Sequence, residues 1–304
     1  GRRSIKEISM STFYNSERLK YNQMNYNNDV ELDNFCSQCL LVINAVGPSF
    51  KINDKIALHA LRNNCHYIDI GGYGILRDLL KPYEKSIEAQ KLCFIIGVGW
   101  MPGISGVFSK TIIETHLNSP ENTNFNIYYG AVDNWSYSST YDLAASSMGK
   151  TRSYVYSHGK EIQVSPFRYT HHKFFPFIGH KKICMPSFDE QLTQLATSLK
   201  QIRKISTFIM LNDYISMGKF MFIKIFYKHN LNKATLMLQD DYQRLVKKEN
   251  KWGSVICQVS KIEPERKIDT FYYLYTKNNL LYTALPAVIT TQYILEGKTK
   301  IGLN

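Results

Sequence analysis

The sequence lacks an apolar stretch that is both long enough and free enough of charge to cross a membrane. Its most apolar long window, residues 205 to 227, contains Asp213, Lys219 and Lys224, and a spanning helix tolerates such charges poorly. The amino end is basic and polar with no apolar run after it, which is unlike a secretory signal. We therefore expect no membrane span and a cytoplasmic location, with the window 205 to 227 buried or at an interface in a second domain.

Clustered runs of basic residues are also missing. The formal net charge of the 304 residues is +12, but the lysines and arginines are spread along the chain among acidic residues, without the concentrated basic surface that nucleic-acid binding uses. We predict no nucleic-acid partner, and a basic nucleic-acid-binding protein stays an alternative. The positive charge favours an anionic small molecule, and a dinucleotide has that property.

Signatures of metal sites and hydrolases are incomplete or absent. Cys36 and Cys39 have the spacing of a zinc or redox pair, but no second pair of ligands follows at a suitable distance, so we predict no metal site. The six cysteines are expected to be free thiols in a reducing compartment. Neither a Gly-x-Ser-x-Gly turn nor a His-Glu-x-x-His helix is present, which gives no support to a hydrolase.

The first third of the chain does contain three short apolar runs. They occupy residues 39–46, 66–70 and 92–98, each followed by glycine or a polar residue, and segments of helix length separate them. Continuous runs rich in branched side chains are typical of central strands in a parallel sheet. We predict an α/β fold with a doubly wound parallel sheet, in which ligands lie beyond the carboxyl ends of the strands.

A change in residue composition after about residue 125 indicates a second domain. The chain becomes rich in Tyr, Ser and Phe in alternating segments, and a hairpin is predicted from residues 255–262 and 270–275. Ser187 and Glu190 have capping-box spacing before a helix to about residue 200, and a last helix is predicted from Thr283, as its cap, to about residue 296. These patterns predict an α+β domain with a mixed or antiparallel sheet.

Three segments in order carry a resemblance to a known family. Residues 41–48 (Leu-Val-Ile-Asn-Ala-Val-Gly-Pro), 60–69 and 97–105, together with the ending at 282–302, resemble the saccharopine dehydrogenase-like oxidoreductases. The resemblance implies a Rossmann-type nucleotide-binding domain at 1–122 with its first βα unit missing, a substrate or dimerisation domain at 123–280, and a helix at 281–304 that returns to the nucleotide domain. It also implies an NAD(P)-dependent enzyme that transfers hydride at a C–N or C=O centre of a small, amino-acid-derived substrate.

The same resemblance implies which residues bind the cofactor. Arginine after the second strand of such a domain pairs with the 2′-phosphate of NADP, so NADP is the expected cofactor and NAD the alternative. A solvated basic end is the other interpretation of Arg2 and Arg3. The residues implied to line the dinucleotide are Arg2, Arg3, Ser4, Asn44, Ala45, Gly47, Pro48, Asp69, Gly97, Pro102 and Gly103.

The catalytic residue is less well marked. Tyr73 falls where relatives have a Ser-Tyr pair, but Gly72 stands in place of the serine, so Tyr73 alone is the candidate proton donor or substrate ligand. Packing is the competing explanation in a chain with 21 tyrosines. Trp100 and Met101 occupy a place where relatives that handle amino acids often have an acidic residue, and this departure puts a saccharopine-type substrate in doubt.

The Gly-x-Gly-x-x-Gly turn that would hold a pyrophosphate is nowhere in the sequence. Either such a turn lies upstream of the sequence, or the protein has lost cofactor binding and keeps the fold as a scaffold or binding protein. The expected partners are a small-molecule substrate and, in a homodimer, a second copy of the chain.

Overall fold

The computed structural model describes residues 6, 9, 15, 17–72, 74–117, 120–148, 153–187, 190–227 and 229–304. The strands are β1 Leu41–Asn44, β2 His66–Asp69, β3 Cys93–Ile96, β4 Thr123–Val132, β5 Ser153–Ser157, β6 Lys160–Val164, β7 His171–Phe175, β8 His180–Pro186, β9 Lys204–Leu211, β10 Trp252–Ile262, β11 Lys267–Thr276 and β12 Gly302–Leu303. The α-helices are α1 Asp29–Cys36, α2 Ser49–Ile52, α3 Lys55–Arg62, α4 Gly74–Leu80, α5 Glu84–Ala89, α6 Ile104–His116, α7 Tyr137–Met148, α8 Pro166–Tyr169, α9 Glu190–Ser198, α10 Tyr214–Phe226, α11 Leu231–Lys248 and α12 Asn279–Leu295.

The first sheet is parallel and has helices on both faces. Its strand order is β1-β2-β3-β12, with parallel pairing at each junction. Tyr67 and Phe94 face one helical layer, in a core cluster that includes side chains of α1, α3 and α4. Ile68 and Cys93 face the other layer, where Ala287 and other residues of α12 cover them. Burial on both faces explains the continuous apolar runs of β2 and β3, whereas β1 is an edge strand on which Ile43 is exposed.

The second sheet is mixed. Its main path is β11-β10-β4-β9-β5-β6, and β8 pairs with both β7 and β9. Strands β4 and β9 are parallel, while β10 pairs antiparallel with β4 and with β11. The predicted α/β class with a parallel sheet and a second α+β part is therefore confirmed, and so is the hairpin predicted around residues 263–266.

Two predicted elements are wrong in detail. The last helix begins four residues earlier than the predicted Thr283, because Asn278 is its cap and accepts from the backbone N–H of Leu281, and Pro286 lies inside the helix. The window 205–227 is two elements, β9 and α10, because Asp213 ends the strand region and caps α10 by accepting from the backbone N–H of Ser216.

The described residues also bear on the membrane and metal predictions. None of their helices is long and apolar enough to cross a membrane. All six cysteines are free, and five of them are buried. Within the described part of the chain, no group of three or more His, Cys, Asp or Glu side chains is arranged to hold a metal ion.

Candidate functional site between the two sheets

A buried polar cluster marks the carboxyl edge of the parallel sheet. Asn44 ends β1 and donates through Nδ2 to Oδ2 of Asp69 at 2.8 Å. Tyr67 donates its hydroxyl to the same oxygen at 2.6 Å, and burial, followed by the nearby Asp69 charge, raises the pKa of Tyr67 well above its usual value. The Tyr67 side chain therefore remains a protonated donor.

The second oxygen of Asp69 holds the turn that follows β2. Its Oδ1 accepts from the backbone N–H groups of Gly71 at 2.9 Å and Gly72 at 2.5 Å. The Asp69 side chain is almost fully buried, and both of its oxygens accept hydrogen bonds from the chain. Asp69 thus caps the turn that follows β2.

The turn between β3 and α6 closes on itself. Gly97 and Gly103 have φ angles of +71° and +125°, in the region that favours glycine, and Gly99 donates its N–H to the carbonyl of Pro102 at 3.1 Å. At the start of α6, Oε1 of Gln191 accepts from the backbone N–H groups of Gly103 and, one turn later, residue 106, at 2.8 and 3.2 Å. A side chain from the second half of the chain thus occupies this helix start.

The turn after β1 is held in the same manner. Asp142 of α7 accepts from the backbone N–H groups of Ser49 at 2.9 Å and Phe50 at 3.2 Å. A methyl group added at Gly47 would lie 2.8 Å from Cβ of Ser138, so α7 packs directly on the Gly47–Pro48 turn. Burial, and to a smaller extent the charge of Asp69, raises the pKa of Asp142, although the backbone N–H groups of residues 49 and 50 oppose this rise.

A cavity of about 290 Å³ lies between these turns and the second sheet. Ile70 and Gly71 line it from the end of β2, and Trp100 and Met101 line it from the turn after β3. The remaining lining residues come from β4, α7 and α12 with the segments that precede them: Ala131, Asp133, Asn134, Trp135, Ser136, Ser139, Asp142, Leu143, Asn279, Leu280 and Thr283. A crevice beyond the carboxyl ends of parallel strands is where ligands bind in this fold class.

The sequence-predicted cofactor residues surround this region without lining the cavity. Asn44, Pro48, Asp69, Gly97, Pro102 and Gly103 are buried, Gly47 is half-buried, and Ala45 is exposed. Asn44 and Asp69 are in direct contact, and Gly97 lies close to Gly72. Arg2, Arg3, Ser4 and the catalytic candidate Tyr73 lie outside the described residues. The described members of the set lie at the carboxyl edge of the parallel sheet, most of them buried.

Sequence reasoning missed the residues that line the cavity. Asp133 and Asp142 are not among the predicted site residues, and Trp100 stands out in the sequence only as a departure from the family pattern. Asn279 had no signal, because its place depends on how α12 returns across the fold. Short-range pattern locates strand ends, but pairing distant segments across a crevice needs the tertiary structure.

A dinucleotide fits the described residues only in part. The turn following each of the first three strands already has its N–H groups bound by the protein: by Asp142 after β1, by Asp69 after β2 and by Gln191 after β3. These particular N–H groups are therefore not available to a pyrophosphate. The exposed part of the turn after β1 is Ala45 and Val46.

No family model matches the chain, and no curated protein matches it. Among solved structures, it is similar to an engineered D-amino acid dehydrogenase bound to NADP+, with 9% identity over 95% of this chain and 82% of that chain and a TM-score of 0.42. A diaminopimelate (DAP) dehydrogenase from C. glutamicum in complex with DAP has 9% identity, covers 94% and 80%, and has a TM-score of 0.45. The dehydrogenase MviM from Clostridium difficile has 10% identity, covers 89% and 75%, and has a TM-score of 0.35. Similarity at this level assigns neither a family nor an activity.

Proposed function

We propose that the chain belongs to an NAD(P)-dependent oxidoreductase, with hydride transfer at a C–N or C=O centre of a small molecule bound in the cavity between the two sheets. The observation that carries the proposal is the position of the cavity. It opens at the carboxyl ends of β2 and β3 and continues to the second sheet, which is where an α/β dehydrogenase brings cofactor and substrate together.

The finer parts of the proposal follow from the sequence. We assign Ala45 and Gly47 to the adenosine side of the dinucleotide, and Arg2 and Arg3 to a 2′-phosphate, which makes NADP the preferred cofactor. Tyr73 remains the proposed proton donor or substrate ligand. A saccharopine-like, amino-acid-derived substrate belongs to the same proposal. The described turns do not provide the pyrophosphate site, so no step of the reaction is assigned to them.

The experiment that tests the proposal is a fluorescence titration of the chain with NADPH and with NADH. We expect NADPH to bind more tightly, and the double variant Arg2→Ala/Arg3→Ala to weaken NADPH more than NADH, because only NADPH has the 2′-phosphate. Arg266→Ala is the matched control, since Arg266 is exposed at the β10–β11 turn and pairs with Glu263. If neither nucleotide binds, the oxidoreductase proposal is wrong.

A second candidate function is a small-molecule-binding protein without redox activity. It is favoured by the three occupied turns, where Asp142, Asp69 and Gln191 take the N–H groups that a pyrophosphate would use. Nucleotide binding distinguishes the two candidates. The oxidoreductase binds NADPH or NADH itself, whereas the affinity of the binding protein for its ligand is the same with and without nucleotide.

A further inference from the structure

We propose that the cavity between the two sheets binds an organic cation, a primary ammonium group on a short apolar body. This inference rests on the proposed function in placing the substrate in this cavity, and it names the chemical class of that substrate. Amine binding is measured without nucleotide, so its failure and a failure of nucleotide binding are separate results.

The first argument is the charge of the lining. Asp133 and Asp142 are the charged side chains among the lining residues, which include no Lys, Arg or His. This is unusual for a chain with a net charge of +12. Both carboxylates are largely buried, at 8% and 7% exposure, and this lining favours the cationic end of a substrate.

The two carboxylates differ in how they are balanced. Asp133 accepts from Lys251 Nζ at 2.8 Å, and although burial opposes it, this contact and the backbone N–H of Asn134 lower the pKa of Asp133. Asp142 has no ion pair within the described part of the chain, and its hydrogen bonds come from neutral groups: the backbone N–H groups of Ser49 and Phe50 and the Ser49 side chain. The negative charge of Asp142 is therefore left for a ligand cation to balance, since a buried carboxylate without a cation is costly.

The second argument is the way Asp133 is held at the cavity wall. Asn279 lines the cavity and is 8% exposed. Its Nδ2 donates to Asp133 Oδ2 and to the carbonyl of Trp252, each at 3.1 Å, but its Oδ1 is buried with no hydrogen-bond partner among the described residues. Oδ1 has no accessible surface and packs against Gly253, so Asn279 does not contact the ligand itself. Through Nδ2 it holds Asp133 at the cavity wall.

The third argument is the aromatic part of the wall. Trp100 and Trp135 both line the cavity. Trp135 stacks on Tyr242 with ring centroids 4.8 Å apart, and Trp100 contacts Tyr282 edge to face at 5.9 Å. Each indole is thus held by a neighbouring ring, and an indole face is the best aromatic partner for a cation. The apolar remainder of the wall, which includes Met101 and Leu143, suits the carbon chain of the ligand.

The test uses three probes of matched shape: n-butylammonium, n-butanol and n-butanoate. We expect n-butylammonium to bind about tenfold more tightly than n-butanol, the gain that a charge-assisted contact supplies, and n-butanoate not to bind. The chain has three tryptophans, so the indole N–H signals in NMR spectra report the location. Signals of Trp100 and Trp135 should shift on titration, while that of the buried Trp252, which is not part of the lining, should not.

A charge change at the rim makes the assignment specific. Leu280 lines the cavity and is 76% exposed, while its neighbour Leu281 is 57% exposed and is not among the lining residues. Leu280→Lys should weaken n-butylammonium binding about fivefold and Leu280→Glu should strengthen it, since charges within a Debye length interact. Leu281→Lys is the matched control and should change the affinity less than Leu280→Lys.

Three outcomes would overturn the inference. The inference is wrong if n-butanol or n-butanoate binds as tightly as n-butylammonium or more tightly. Equal effects of Leu280→Lys and Leu281→Lys would place the amine elsewhere. Absence of binding by all three probes, to a chain that unfolds cooperatively on heating, would also contradict it.

Discussion

Asp142 shows how one side chain can serve both the fold and a ligand. It ties α7 to the start of α2 through the backbone N–H groups of Ser49 and Phe50, and it also lines the cavity. Its sequence surroundings are ordinary for a helix in the second half of the chain. The link to residues 49 and 50, more than ninety positions away, depends on tertiary contact, which is why sequence pattern alone gave Asp142 no defined role.

Removal of this contact should destabilise the chain. We expect Asp142→Ala to lower the free energy of unfolding by about 1–2 kcal/mol, because two partly buried N–H groups lose their acceptor. Denaturant unfolding followed by circular dichroism measures the change. Asp78→Ala is the control, since Asp78 is exposed on α4 and its removal should change stability by no more than about 0.5 kcal/mol. Equal effects of the two substitutions would contradict the role of Asp142.

Asp213 predicts a dependence of stability on pH. Burial raises its pKa, but hydrogen bonds from Arg244, at 2.7 and 2.9 Å, and from the Ser216 backbone outweigh burial and hold the pKa of Asp213 well below its usual 3.8. A group with a lowered pKa in the folded state stabilises above its unfolded pKa and loses that contribution as pH falls through the folded value.

The variant Asp213→Asn isolates this charge, because asparagine keeps the helix cap. At pH 7 we expect the variant to be about 1 kcal/mol less stable than the parent chain, a modest value because Asp213 is one-third exposed. Urea unfolding at a series of pH values below 5 should show the difference shrinking toward zero. A difference that stays constant over this range would show that the Asp213 charge is not its source.

At the scale of elements, the parallel sheet could be predicted and the site could not. The strands β1, β2 and β3 each appear in the sequence as an unbroken apolar run with a glycine or polar residue after it, although Ile43 of the edge strand β1 is exposed. Helix α12 was displaced in the prediction because Thr283 has the residue type of a cap, but Asn278 makes the capping hydrogen bond. Local residue types could not decide between these two caps.

The two ends of β1 provide a matched test of where a nucleotide binds. Ala45 follows the carboxyl end of β1 and Leu40 precedes its amino end, and both are exposed. Ala45→Glu should weaken NADPH binding about tenfold or more, since a carboxylate there repels the phosphates of the nucleotide. Leu40→Glu introduces the same charge at the opposite edge of the sheet and should leave NADPH affinity nearly unchanged. Equal losses in the two variants would remove the carboxyl edge as the binding position.

At the scale of the whole molecule, the chain has separate cores that few polar contacts join. One core cluster lies on the helical face of the parallel sheet, and another surrounds the mixed sheet and includes Ile112 and Ile113 of α6. The proposed boundary near residue 122 thus lies just after a helix whose side chains already pack with the second sheet. The cavity lies where the two parts meet, so its shape depends on the contacts that hold them together.

Asp142 and Gln191 are two of these contacts, and each binds backbone N–H groups at the carboxyl edge of the parallel sheet. We expect the double variant Asp142→Ala/Gln191→Ala to unfold with less cooperativity, because each part keeps its own core while the polar contacts between them are lost. Differential scanning calorimetry should show one peak for the parent chain and a broadened or divided peak for the variant. The control is Asp78→Ala/Gln243→Ala, at two exposed positions. If the variant's peak moves to lower temperature with its width unchanged, the two parts unfold as one unit and these contacts do not couple them.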